Sequence, residues 1–415
     1  MSDQRWLAWL CLARMSFGFI FMAYSGALAV LMTDWEMSAG EAGLIHSGWH
    51  IGYMLSLFAV GFLSDRIGAK RTFLITSVAA CVSAWTFALF ANGFLSGLIL
   101  FSLTGFCSGG SYTPGLTLIA ERFAPDRRGG AMGWYLAASS MGYALSLLVG
   151  SQVISDFGWR AAFFAAALGP IGGALIGSYV LRDSSNIVAH RHADSTAFHR
   201  LKQVWQNRPA MLAIWSYTFH SWELLGLWAW LPAYLAAAAT KDYGAGGAVS
   251  LGLMLSGLSF ATNTIGSILA GKLSDRLGRT SIMLVMTSIS LGCSFIFGWL
   301  LMAPLWLVTI VAIIYNSTAL GDSSVYSTAL TELVPAPFLS VAYSLRSGLG
   351  FGMGAISPLV FGLVLDLFAS AAAERGTVAW GMAWLSLGIG ALAGPFVILQ
   401  LRRVPRHRET DGRHP

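Results

Sequence analysis

Four full charges lie inside long apolar stretches of this sequence: Arg14, Glu223, Asp322 and Arg346. His46, His50 and His220 share that setting. Keeping an ionisable group among apolar neighbours is costly, so each is a candidate for binding or proton transfer. Arginine suits an anion, because its planar fork of N–H donors matches a carboxylate or phosphate. Glu223 falls about 20 Å into its run at 1.5 Å per residue, too deep to reach the surface, and a carboxyl there suits a proton carrier. Histidine suits the same task. Trp49, Tyr53, Tyr112, Trp222, Asn263, Tyr315 and Asn316 surround these charges. Aromatic walls with a few polar groups fit a small-molecule pocket.

Each charge also has a purely structural reading. Asp322 and Arg346 fall in consecutive runs and could neutralise one another, as buried ions must. Arg14, about 12 Å into its run, could extend back to the surface. His46 and His50 have a metal-like i, i+4 spacing, but no carboxylate or cysteine joins them, and no metal site is expected.

Helices must position these groups. His46, Trp49, His50 and Tyr53 fall at i, i+3, i+4 and i+7 and therefore share one helix face. The chain has 415 residues, 56% hydrophobic and 11% charged, where soluble domains carry about 25% charged residues. Its mean hydropathy is +0.65. In water such a chain would expose too much apolar surface, so the solvent that fits is a bilayer. Crossing one takes roughly 20 apolar residues. Runs of that kind cover 6–32, 42–63, 72–92, 94–120, 130–154, 161–181, 210–237, 248–271, 281–302, 304–330, 339–366 and 377–401. The first exceeds the apolar core of a cleavable signal and is read as a span. The expected fold is an all-α membrane protein of twelve helices in two pseudo-symmetric halves, 1–181 and 210–401. A connector, 182–209, and a tail, 402–415, complete the chain.

The formal charge is +6, but the basic residues sit in short breaks between apolar runs, which argues against nucleic acid. Twenty of the 25 Lys and Arg fall on the side that holds both termini, three on the other and two within spans. By the positive-inside rule both termini are expected in the cytoplasm, in an inner membrane. Cys11, Cys81, Cys107 and Cys293 lack metal-site spacing and read as small core hydrophobes.

Two short segments repeat. Residues 61–71 read GFLSDRIGAKR and residues 271–280 read GKLSDRLGRT, each after the second span of its half. With the six-plus-six arrangement and the central connector, this motif resembles the best-known loop signature of the major facilitator superfamily, carried by Gly61, Asp65, Arg66, Gly68 and Arg71. Gly271, Asp275, Arg276, Gly278 and Arg279 form the second copy. Gly158-Trp159-Arg160 before the sixth span is also common in that family. The resemblance implies that these loops act as gate latches. Span 4 lacks the arginine of the family's drug/proton antiporters, and span 2 offers His50 where its nitrate porters use an arginine. The general look is similar to nitrate- and cyanate-like and organic-anion porters.

The resemblance implies a secondary transporter working by alternating access, its solute site near the membrane midplane between the halves. Together with the buried charges it leads to the expectation of a small anionic solute. Arg14 and Arg346 would attract it; Trp49, His50, Tyr53, Tyr112, Trp222, Asn263, Asn316 and Asp322 would complete the site. Glu223, His220 and His46 would carry protons. The alternative is export of a cationic or amphipathic compound gripped by Glu223 and Asp322. From other classes, a channel or a solute-sensing receptor remains. No enzyme is expected: the chain shows neither a nucleophile motif nor a phosphate-binding glycine loop. No cofactor is expected, and the partners are the solute, protons and lipid around a monomer.

Overall fold

In lipid every backbone N–H and C=O has to be paired within its own segment, which leaves the helix as the local solution. The computed structural model describes residues 1–188, 196–335, 338–369 and 375–404. Residues 189–195 of the expected connector and the tail beyond 404 lie outside the described residues.

The N-terminal half holds α1 (Asp3–Asp34), α2 (Ala39–Ile67), α3 (Ala69–Phe90), α4 (Phe94–Ser108), α5 (Thr113–Arg122) and α6 (Pro125–Leu181). After α7 (Thr196–Gln206) come α8 (Arg208–Leu277), α9 (Arg279–Ile296), α10 (Leu305–Gly321), α11 (Ser323–Leu333), α12 (Leu339–Gly354), α13 (Ser357–Ala369), α14 (Arg375–Ala391) and α15 (Ala393–Arg403). Helix α6 is two spans joined at Gly158 (φ 75°), and α8 is two joined at Gly244 (φ 66°). Spans 4, 10, 11 and 12 are each broken into two helices, so the chain crosses twelve times, six per half. Large exposed side chains such as Phe62, Val82, Leu175 and Leu367 face outward, as a lipid-facing surface requires.

The repeat seen in the sequence has a geometric counterpart. Gly68 and Gly278 take φ values of 88° and 90° between the second and third spans of their halves, a left-handed conformation that favours glycine. Span 4 breaks at Gly109–Tyr112 and span 10 breaks at Asp322, positions that the 210-residue repeat superposes. Span 11 breaks at Ala355–Ile356, just ahead of Pro358.

Both described chain ends lie at one face of the bundle, here the terminal face; the opposite one is the distal face. At the distal face the halves are bolted together. Asp366 on α13 accepts from the backbone N–H of Ala39 (2.8 Å) and Gly40 (2.7 Å), the first residues of α2. Ser250 donates to the carbonyl of Ser151 (2.6 Å), and Ser155 meets Ser250 (2.6 Å) and the carbonyl of Gly246 (3.0 Å). Backbone contact tightens this seam: a Cβ on Gly43 would meet the Pro358 carbonyl and one on Gly362 the Ala39 carbonyl. These hydrogen bonds between the halves all lie at this face. The terminal-face segments α5 and α11 pack on their own halves.

Candidate functional site

Arg14 on α1 is 8% exposed and turned inward rather than extended to the surface. It donates from Nη1 to Ser111 Oγ (2.6 Å) and from Nε to Ser139 Oγ (2.8 Å). Its guanidinium lies 5.5 Å from the Tyr112 ring and 5.7 Å from that of Tyr135. Ser111 and Tyr112 occupy the break in span 4, so the break delivers a hydroxyl and a ring to the cation. The Tyr135 hydroxyl donates to the Ser111 carbonyl and pins that break.

Arg346 on α12 is built in the same way. It is 6% exposed, donates from Nη1 to Ser327 Oγ (2.7 Å), and is flanked by Tyr217 (4.4 Å) and Tyr343 (4.9 Å). The Tyr343 hydroxyl donates to the Ser327 carbonyl (3.0 Å). The buried Nε of Arg346 has no acceptor among the described residues. Tyr112 from one half lies within electrostatic reach of Tyr217 and Tyr343 from the other, which brings both arginines to one cage at the seam. No described carboxylate forms an ion pair with either arginine. The structural alternative, an ion pair between Asp322 and Arg346, is therefore not the arrangement found.

Asp322 pairs with a histidine instead. His220 Nδ1 stands 3.1 Å from Asp322 Oδ1, and its Nε2 is 2.9 Å from Ser323 Oγ. Thr287 on α9 donates to Asp322 Oδ2 (3.3 Å), and Ser290, one turn along, donates to Glu223 Oε2 (3.0 Å). Glu223 Oε1 has no partner, and Tyr315 faces it. Tyr217 joins the two clusters, because its ring lies against Arg346 on one side and 5.5 Å from His220 on the other.

The helix face expected on α2 is observed. Trp49 and Tyr53 stack at 4.9 Å and His46 and His50 at 5.2 Å. His46 Nε2 meets Ser25 Oγ (2.9 Å), whereas neither ring nitrogen of the fully buried His50 has a partner among the described residues. This face reaches the other half: Tyr53 is 5.0 Å from Phe351, and His50 lies against Gly354. Tyr143 and Trp228, 5.6 Å apart, continue the aromatic wall.

Three sequence candidates stand outside the cage. The indole of Trp222 lies against Gly390 of α14, within its own half. Asn316 accepts from Trp228 Nε1 (3.0 Å) and donates to Ser259 Oγ (3.0 Å), and Asn263 donates to the carbonyls of Asn316 and Ser259. The Asn316 amide thereby braces Trp228.

The repeated loops are solvent-facing. Asp65, Arg66 and Arg71 are exposed, and their side chains have no hydrogen bond or ion pair among the described residues. Gly61 has open space around it. In the second copy Arg279 holds Asp275, Ser274 and Glu332 within its own half, Arg276 is exposed, and Gly271 lies beside Ser324. Asn186 clasps the first loop by accepting from Arg71 N (3.2 Å) and donating to the Ile67 carbonyl (2.7 Å).

Several groups of the site stand beside the residues that their charge makes conspicuous. Tyr343 precedes Arg346 by three residues and Tyr217 precedes His220 by three, so the helical period alone places each pair on one face. Ser111 and Ser327 had no such signal. Asp366 was visible only as an acid at the far end of span 11.

Two six-helix halves around a buried polar cage, shut at one face, have the architecture of an alternating-access carrier. The chain belongs to the Major Facilitator Superfamily, whose pattern it matches over residues 10–395. It is 24% identical over 407 residues to the probable sulfoacetate transporter of Cupriavidus necator, covering 91% of each chain. With the citrate-proton symporter of Klebsiella pneumoniae it shares 24% identity over 335 residues, 74% of this chain and 71% of that one. Its fold superposes on a bacterial homologue of the human lysosomal transporter Spinster, solved inward-facing and occupied, with a TM-score of 0.75 at 15% identity and 96% coverage of both chains. The protein is thus a multi-pass membrane transporter that moves small solutes by secondary transport.

Proposed function

We propose that the protein carries a small organic anion across the inner membrane, gripping it between the halves through Arg14 and Arg346. One observation carries this reading: two buried arginines, one per half, are solvated by serine hydroxyls and tyrosine rings and have no acidic partner among the described residues. A buried charge needs a counter-ion, and an anionic solute supplies it. The relatives named for sulfoacetate and citrate point the same way.

The excess of Lys and Arg on the terminal face supports a cytoplasmic placement of both termini. The distal bolts would then close the outside, and the cage would open inward. In this state Asp65 is disengaged, as a latch on the other gate should be. Residues 1–181 and 210–401 act as the two moving bodies with 182–209 as their tether. Protons enter through the second cluster, where the unpaired Oε1 of Glu223 and the His220–Asp322 pair can each hold one. Tyr217 links that cluster to Arg346, so the two occupancies are mechanically connected. His46 and His50 form a second buried titratable pair on the opposite wall.

The test is thermal unfolding of the purified protein with organic anions, sugars, amino acids and organic cations. A ligand at 100 times its dissociation constant adds about 2.7 kcal/mol of stability. Stabilisation by anions that vanishes in Arg346→Ala and Arg14→Ala supports the proposal. Stabilisation by cations alone overturns it.

A further inference from the structure

We infer that the solute is a dianion with an acidic group at each end, one for each half of the carrier, joined by a short apolar spacer. The inference rests on the anion-carrier reading above and goes further, because the geometry counts charges as well as giving their sign.

Two guanidiniums face the cage, and each is more than nine-tenths buried. Their sites repeat one design: a serine hydroxyl from a neighbouring helix, a tyrosine that pins the backbone of that serine, and flanking rings. All of these supports are neutral. Arg346 keeps Nε unspent and buried, and Arg14 gives Nε and Nη1 to serine hydroxyls and meets Tyr53, so both guanidiniums offer their N–H donors to neutral partners alone. A carboxylate accepts two such donors side by side. A monoanion satisfies one site and leaves the other cation buried and uncompensated, which is costly. A dianion compensates both.

A zwitterion fits poorly. Its single carboxylate compensates one arginine, and its ammonium would add a further cation beside the other, uncompensated one. Rings line the seam at both sites, Tyr112 beside Arg14, Tyr217 and Tyr343 beside Arg346, and Tyr53 against Phe351 across the halves, and they suit a carbon spacer. One end bound to each half also gives the solute a mechanical role. Two like charges brought together across the seam oppose closure of the terminal face, and a bridging dianion removes that opposition.

The experiment compares straight-chain dicarboxylates of three to six carbons with their monomethyl esters and with γ-aminobutyrate. Binding is read by calorimetry on the full-length protein in lipid nanodiscs. At least one dicarboxylate should bind tenfold or more tighter than its monoester, and the zwitterion should not bind. In Arg14→Gln and in Arg346→Gln the dicarboxylate should lose its tenfold advantage over the monoester. Melting temperature and monodispersity report that the variants fold, and Arg14→Lys and Arg346→Lys should regain part of the loss. Equal binding of diacid and monoester to the native protein overturns the dianion inference and leaves the anion reading standing. No binding of any carboxylate to folded protein overturns both.

Discussion

Asp366 sits on one half and holds the first turn of a helix in the other, so its removal should shift the balance between the two gates. Its carboxylate accepts from Ala39 N at 2.8 Å and from Gly40 N at 2.7 Å, where the positive end of the α2 dipole favours an anion. Hydrogen bonds to a charged acceptor contribute about 1.5–3 kcal/mol each. Asp366 is half-buried, which argues for the lower end of that range, so the two together stabilise the closed distal face by about 3 kcal/mol. At about 1.4 kcal/mol per factor of ten, Asp366→Ala should raise the population open at the distal face roughly a hundredfold relative to the closed one. Asp366→Asn, which keeps one acceptor oxygen, should fall between. The assay is a spin-label distance measurement across the distal face. Labels at Asn92 and Met302, both exposed distal-loop positions on opposite halves, are placed in a protein whose four native cysteines have been replaced. A long-distance population that grows in the alanine variant supports the reasoning. If the distribution is unchanged while the protein merely melts earlier, Asp366 is a simple helix cap and the argument fails.

Three other outcomes are open to direct measurement. Glu223→Gln keeps an oxygen for Ser290 but cannot release a proton; uptake driven by a pH gradient in proteoliposomes should be lost, while solute counterflow persists. Gly52 and Gly61 lie on the same helix with opposite surroundings: a Cβ at Gly52 would stand 2.1 Å from the Ser102 carbonyl oxygen, whereas nothing lies within 4 Å of one at Gly61. Gly52→Ala should therefore destabilise by about 1–3 kcal/mol or more and Gly61→Ala should be neutral or stabilise by up to about 1 kcal/mol, both read as thermal melts. Asn186→Ala removes both clasps on the first repeated loop; greater protease access at Arg66 and Arg71 should follow, and equal cleavage rates would count against the clasp.

The crossings, their grouping into halves and the shared face of His46, Trp49, His50 and Tyr53 were legible because they depend on local quantities: run length against membrane thickness and the period of the helix. The repeat also carried information, since the superposed positions Tyr112 and Asp322 turn out to mark matching helix breaks. Which partner each buried charge would meet was not legible. Asp322 meets His220 and Arg346 meets Ser327, Tyr217 and Tyr343, because those pairings depend on how neighbouring helices are rotated and how close their glycines let them come. Trp222 shows the same limit, its polar edge turned toward α14 by a rotation that hydropathy does not encode. The bolt from Asp366 to α2 joins residues 326 and 327 apart in sequence, and only packing in three dimensions brings a carboxylate to that helix end.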